Sequence, residues 1–325
     1  MAQPTSLRTS SYNMSSLATA VEADFKKIEE LGAGAFGCVW RVKHIESGLT
    51  FALKQIDARV ADENKPRGVS HEITMQRTAG IQCKNIVRIY HVIVNPDGPV
   101  FNVYADLFRG GDLVDALNRM ANAGNLLKDD QVSYLTRQSM TAIQHIHNLR
   151  IVHRDVKVEN FVADRKDITD PDTLIALTDF GFALLLQPGE TTPDQAGTVP
   201  YFAPEVFAGR SGFKVDVWAV GVMTYVLAAL ANPFPEKHAP ARAKICHEKG
   251  PQFKWAGRMS EGCKDFIIKC FEPDPNQRWD ATTALKHHWL KTASQKNLAG
   301  SGGCCTGLTK WLGNLICCVP CGGSR

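Results

Sequence analysis

The pattern of the chain changes at Gly110-Gly111, and that change narrows the folds open to it. Before this point the apolar runs are short. Leu31–Val39 alternates around glycines, Phe51–Ile56 is a compact apolar run, and Ile86–Val94 and Val100–Leu107 flank the turn signal Asn95-Pro96-Asp97-Gly98. Only Val69–Thr78 reads as a helix there. After it, Asp112–Met120, Asp129–Leu149, Val215–Leu230, Ser260–Phe271 and Asp280–Leu290 all have helical spacing. A β-rich first third before a helical remainder predicts an α+β, bilobal architecture. The expected domain covers residues 25–290, with a small N-lobe over 25–105 and a larger helical C-lobe over 109–290. Residues 1–24 are expected to be a disordered arm, and 291–325 a basic, Cys-rich tail.

Charge and cysteine separate the same tail from the body. The chain carries 37 Lys+Arg and 33 Asp+Glu. Lys291, Lys296, Lys310 and Arg325 lie in the tail, which has no acid, so the body holds 33 basic residues against 33 acids. A nucleic-acid partner is therefore not expected, because it would require a basic domain. Five of the ten cysteines fall in the last 22 residues. Met1–Ala20 lacks an apolar core segment, so a secretory leader is not expected and the body thiols should be free. The longest apolar run, Val217–Ala231, is shorter than the roughly 20 residues that cross a bilayer and reads as a buried core helix.

Several short motifs carry chemistry. Gly32, Gly34 and Gly37, followed by Val39, form a G-x-G-x-x-G-x-V loop whose backbone N–H groups can approach phosphate oxygens. Alone it is weak evidence, with an ordinary glycine hairpin as the alternative, and no helix follows as a dinucleotide-binding turn would need. Lys54 stands in an apolar strand and needs an anion, for which Glu72 is the candidate; a surface lysine on an edge strand is the alternative. His153-Arg154-Asp155-Val156-Lys157-Val158-Glu159-Asn160 matches H-R-D-x-x-x-x-N. Asp179-Phe180-Gly181 and Ala203-Pro204-Glu205 follow in order.

On these motifs residues 25–290 resemble the eukaryotic protein kinases. The resemblance implies ATP and Mg²⁺ as cofactors. It implies that the glycine loop covers the phosphates, that Lys54 holds them and pairs with Glu72, that Asp155 accepts the substrate proton, and that Asn160 and Asp179 hold the metal. Lys157 marks the serine/threonine type. Asp216 is implied to tie down the catalytic loop and Arg278 to pair with Glu205. Val39, Ala52 and Val162 would enclose adenine. Asp106 and Phe108 would line the pocket, and Ala105 would gate its rear and make it roomy. Asp106-Leu107…Gly110-Gly111-Asp112-Leu113, Gly197–Glu205 and His287-His288-Trp289-Leu290 look like the calcium/calmodulin-dependent and calcium-dependent kinase group. No EF-hand loop follows the domain.

The same resemblance implies protein substrates that are basic and carry serine, with Asp112, Glu159 and Thr198 toward the substrate and Phe182 favouring serine over threonine. Asp112 as a helix N-cap is the alternative. A small-molecule kinase is disfavoured by the docking segment Gly197–Glu205. Asp194, three residues before Gly197, is placed to engage Arg154 as a phosphothreonine would, or else is a solvated loop residue. Gln76 and the long insert 164–176 suggest a loosely docked helix, and hence a second reading: a membrane-held, pseudokinase-like scaffold of marginal activity.

In the tail, Leu308, Trp311, Leu312, Leu315 and Ile316 share one helical face beside Cys304, Cys305, Cys317, Cys318 and Cys321. Acylation of these cysteines would hold the chain, as a monomer, at the cytoplasmic face of a membrane. A tail helix docked on the body, or a zinc cluster, are the alternatives.

Overall fold

The computed structural model describes residues 20–34, 37–61, 68–95, 98, 100–234 and 259–295. Five strands form one antiparallel sheet: β1 (Phe25–Gly34), β2 (Gly37–His44), β3 (Thr50–Asp57), β4 (Ile89–Val94) and β5 (Val100–Ala105), in the order β1-β2-β3-β5-β4. The glycine segment is thus a hairpin, with Gly34 opposite Gly37. Gly37 cannot carry a side chain there: its φ is +143° and a Cβ would stand 1.8 Å from the Gln55 carbonyl oxygen. One face of the sheet buries Ile56, Val103 and Ala105 against Val69 and Ile73 of α1 (Gly68–Ala79). The other packs Phe25 on Tyr104 with ring centroids 4.0 Å apart. Within the stretch expected to be a disordered arm, Ala20–Asp24 lie on the sheet. Ala20 is buried and its carbonyl accepts from His91 Nε2 at 2.8 Å.

Beyond Gly111 the chain is helical, and side-chain caps start its helices. Asp112 accepts from Asp115 N to open α2 (Leu113–Asn122). Then α3 (Asp129–Asn148) lays a stripe including Leu135, Ile143 and Ile146 into the main core. The apolar run Val217–Ala231 falls largely within α4 (Lys214–Ala229), whose residues are buried almost all round, as a central core helix requires. Among the described residues no helix is long and apolar enough to cross a membrane. Ser260 caps α5 (Glu261–Cys270). The expected single helix over Asp280–Leu290 is two: a turn at Ala281–Ala284, capped by Asp280, and α6 (His288–Gln295).

Two short strands, β6 (Phe161–Ala163) and β7 (Ile175–Leu177), bracket the insert. The insert is not loose. Ile168 and Thr173 are buried, Arg165 Nη1 reaches Asp170 Oδ2 at 2.7 Å, and Gln138 Nε2 donates to the Thr173 carbonyl at 2.9 Å. The tail, with Cys304, Cys305, Cys317, Cys318 and Cys321, lies outside the described residues.

Candidate active site

Where the two lobes meet, a cleft of about 540 Å³ is lined by Val39, Ala52, Ala105 and Val162 together with Lys54, Asn160 and Asp179. Asp106 and Phe108 line the same cleft, and Gly32 stands at its mouth. Strand register explains the narrow apolar wall, since Ala52 lies directly opposite Ala105 on β5. The Asp106 carboxylate is held in place: Tyr90 Oη and Arg88 N donate to its two oxygens at 2.7 and 3.0 Å.

Lys54 Nζ meets Glu72 Oε1 at 3.0 Å. Burial pulls the Lys54 ammonium down, but the Glu72 and Asp179 carboxylates outweigh it and hold its pKa above the ordinary value. The pair docks α1, and Gln76, one turn on, reinforces it. Gln76 is buried and its Nε2 donates to the Val87 carbonyl at 3.1 Å and to Thr178 Oγ1 at 3.4 Å. The expected loose docking is therefore corrected: a polar side chain joins the core because two acceptors meet it there.

Asp155 is the centre of a second cluster. Thr198 Oγ1 donates to Asp155 Oδ1 at 2.6 Å, Lys157 Nζ lies 3.0 Å from Asp155 Oδ2, and Lys157 also donates to Thr198 Oγ1 at 2.8 Å. Asn160 Nδ2 donates to the Asp155 carbonyl at 2.8 Å and to its Oδ2 at 3.1 Å. With its N–H committed, the group Asn160 can offer a cation is its amide oxygen. That oxygen and the Asp179 carboxylate are the donor types a hard divalent cation such as Mg²⁺ takes. Asp179 itself has φ +60°, and Phe180, buried beside it, packs edge-on against His153 at 4.7 Å.

The loop over residues 153–160 is held from beneath. Fully buried Asp216 accepts from His153 N and Arg154 N at 2.8 Å each and pairs with His147 Nε2 at 2.9 Å. Its own burial raises its pKa, but the His147 hydrogen bond and the nearby histidine charges outweigh that and lower it. Gly197 closes the loop from above, where φ is +105° and a Cβ would lie 2.2 Å from the Arg154 carbonyl oxygen. Arg278 and Glu205 form a buried two-point pair at 2.6 and 2.9 Å.

Arg154 lies 3.7 Å from Asp194 Oδ2 through Nη1 and donates from Nε to the Phe182 carbonyl at 2.8 Å. Thr191 is exposed, whereas Thr192 is buried in a backbone bridge to Ser211. Asp112 and Glu159 both line the cleft, the former also serving as the cap of α2. Three residues escaped the sequence reading. Exposed Asp115 joins that acidic rim, and its i, i+3 spacing from Asp112 was the available signal. Thr178 receives Gln76, and His71 Nε2 donates to the Ala183 carbonyl at 2.8 Å, tying α1 to the segment after Asp179. Nothing in the local sequence marks those two contacts.

Residues 25–290 match the family model described as protein kinase domain, and the chain belongs to that family. It is a protein kinase of the serine/threonine type, a class whose cofactors are ATP and Mg²⁺. It is 33% identical over 271 residues to calcium/calmodulin-dependent protein kinase type I of Schizosaccharomyces pombe, covering 80% of this chain and 76% of that one. It is 30% identical over 265 residues to a probable myosin light chain kinase of Dictyostelium discoideum, covering 80% of this chain and 65% of that one. To serine/threonine-protein kinase SIK1 of Mus musculus it is 28% identical over 264 residues, covering 80% of this chain but 32% of the relative.

Proposed function

We propose that the chain transfers the γ-phosphoryl group of ATP to serine, in preference to threonine, in protein segments with basic residues upstream of the acceptor. The observation that carries this reading is the Asp155 cluster. Asp155 Oδ1 accepts a hydroxyl hydrogen bond from Thr198 at 2.6 Å, the kind of bond an acceptor serine would make to it. In the reaction the acceptor oxygen gives its proton to Asp155 as it bonds to the γ-phosphorus, and the bond from phosphorus to the bridging oxygen of ADP breaks. Lys157 stays beside the charge that develops, and Lys54, positioned by Glu72, holds the phosphates on the other side. Mg²⁺, when bound, supplies charge neutralisation, and Asn160 and Asp179 are the residues that would hold it.

Substrate choice follows from charge. Asp112, Asp115 and Glu159 at the cleft rim offer carboxylates to arginine, for which charge-assisted pairs are strong. Arg154 with Asp194 supports a segment ordered without phosphate. We further assign the tail cysteines to acylation and the chain to the cytoplasmic face of a membrane, on the sequence pattern alone. The scaffold reading loses support, because Gln76 and the insert are both packed. The test is radiolabelled phosphate transfer from ATP to an arrayed peptide library, with Asp179→Ala as control. Label on serine peptides with upstream arginine, absent with the variant, is the expected result. Equal labelling by both proteins, or none by either, would sink the reading.

A further inference from the structure

Outside the residues that line the cleft, where α5 meets the start of α6, one side-chain cluster has no part in the proposed phosphoryl transfer. Asp265, His287 and His288 each present a ligand-type atom, and the three atoms lie within 4.8 Å of one another. We propose that these three residues bind a divalent transition metal, with Zn²⁺ the ion whose chemistry fits best, as a clasp between α5 and α6.

His287 Nε2 stands 3.0 Å from Asp265 Oδ2. Two atoms held at about 2.0–2.1 Å from one tetrahedral zinc are roughly 3.3 Å apart, so this pair is already close to ligand spacing. The rings of His287 and His288 have centroids 4.3 Å apart, and rotation of the exposed His288 side chain supplies the remaining approach. His288 also sits on the correct face of α5. A Cβ on Gly262 would be 3.3 Å from His288 Nε2, and Gly262 precedes Asp265 by three residues, which puts ring and carboxylate on one side of the helix.

The frame is rigid. Phe266 and Trp279 flank the buried His287 ring, each 5.6 Å from it between centroids. The next residue, Trp289, is pinned by its Nε1 donating to Asp129 Oδ2 at 2.8 Å. His287 Nδ1 is buried and meets no hydrogen-bond partner among the described residues, so the polar group its ring addresses is Asp265. Asp265 and His288 are both exposed and leave a path for the ion. Two imidazoles with one carboxylate suit zinc, whereas Mg²⁺ and Ca²⁺ prefer oxygen alone. Three protein ligands leave one position for water.

The test needs no phosphotransfer and so stands apart from the proposed activity. It uses the full-length chain with its five tail cysteines changed to serine, so that tail thiols do not compete. Zn²⁺ is titrated calorimetrically without ATP or Mg²⁺, and thermal unfolding is followed with and without the ion. One equivalent should bind and raise the unfolding midpoint. His288→Ala and Asp265→Asn, both at exposed positions, should each weaken binding at least about tenfold, in line with the effect of disturbing a metal site, and abolish the thermal shift. Absence of saturable binding up to millimolar Zn²⁺, or binding that neither substitution alters, would overturn the proposal.

Discussion

Ala105 shows how much one residue sets. It lies on β5 opposite Ala52 of β3 and next to Ile89 of β4, so two alanines sit side by side on the cleft wall. A methionine there would push its thioether into space that the alanine methyl leaves open. Ala105→Met should therefore weaken an ATP-competitive inhibitor carrying a bulky aromatic substituent by about tenfold or more, while leaving the KM for ATP nearly unchanged. Paired inhibition curves check this, and identical curves would show that the substituent does not reach Ala105. The place of Ala105 on the cleft wall was expected from the resemblance to protein kinases, by its count back from Gly110-Gly111. Asp155, Asn160 and Asp179 were legible for a related reason, since each belongs to a motif whose spacing is set by the loop it forms, and Lys54 was legible as a lone cation in an apolar strand. Thr178 and His71 were not. Their contacts cross long sequence separations, and a threonine or histidine on its own states no partner.

Elements were legible where a buried face repeats. The strands, α3 and α4 declare themselves by period, and α4 by its almost unbroken apolar run. The break after Ala284 was hidden because apolar residues continue through Leu285 and resume at Trp289 and Leu290, so composition alone gives no stop. The docking of α1 was misjudged for the opposite reason: Gln76 looks wrong for a core until its two acceptors are placed around it. The segment between Gly181 and Glu205 carries its own prediction. Asp194 faces Arg154 at 3.7 Å, while Thr192 is buried and paired through its backbone with Ser211. Phosphate-free protein made in bacteria should therefore be active. Asp194→Ala should lower kcat several-fold with little change in global unfolding, because the carboxylate is half exposed. Thr191→Ala with Thr192→Ala should retain most activity. If the double threonine variant were the inactive one, a phosphate would be the ordering charge.

At the scale of the whole molecule, the body is electrically balanced and the excess charge lies on a tail whose location is a matter for fractionation. Changing all five tail cysteines to serine should move the protein from membranes to the soluble fraction; unchanged partition would favour a tail docked on the body. The body depends on Asp216. A buried carboxylate linking the catalytic loop, α3 and α4 gathers two backbone N–H groups and His147, and these bonds exist only in the fold. Its pKa is lowered on folding, so the native state binds fewer protons there than the unfolded chain. The stability it adds is complete above the unfolded carboxylate value of about 3.9 and is lost as pH falls through the lower native value. Asp216→Asn removes the charge and turns an N–H₂ toward a backbone donor, at a cost of about 3 kcal/mol or more near neutrality. Urea unfolding of both proteins at pH 7 and below pH 4 measures the difference. The gap should be large at pH 7 and shrink in acid, where the wild type surrenders the same charge. A gap that stays constant with pH would mean that shape, not the ionised carboxylate, is what holds the loop.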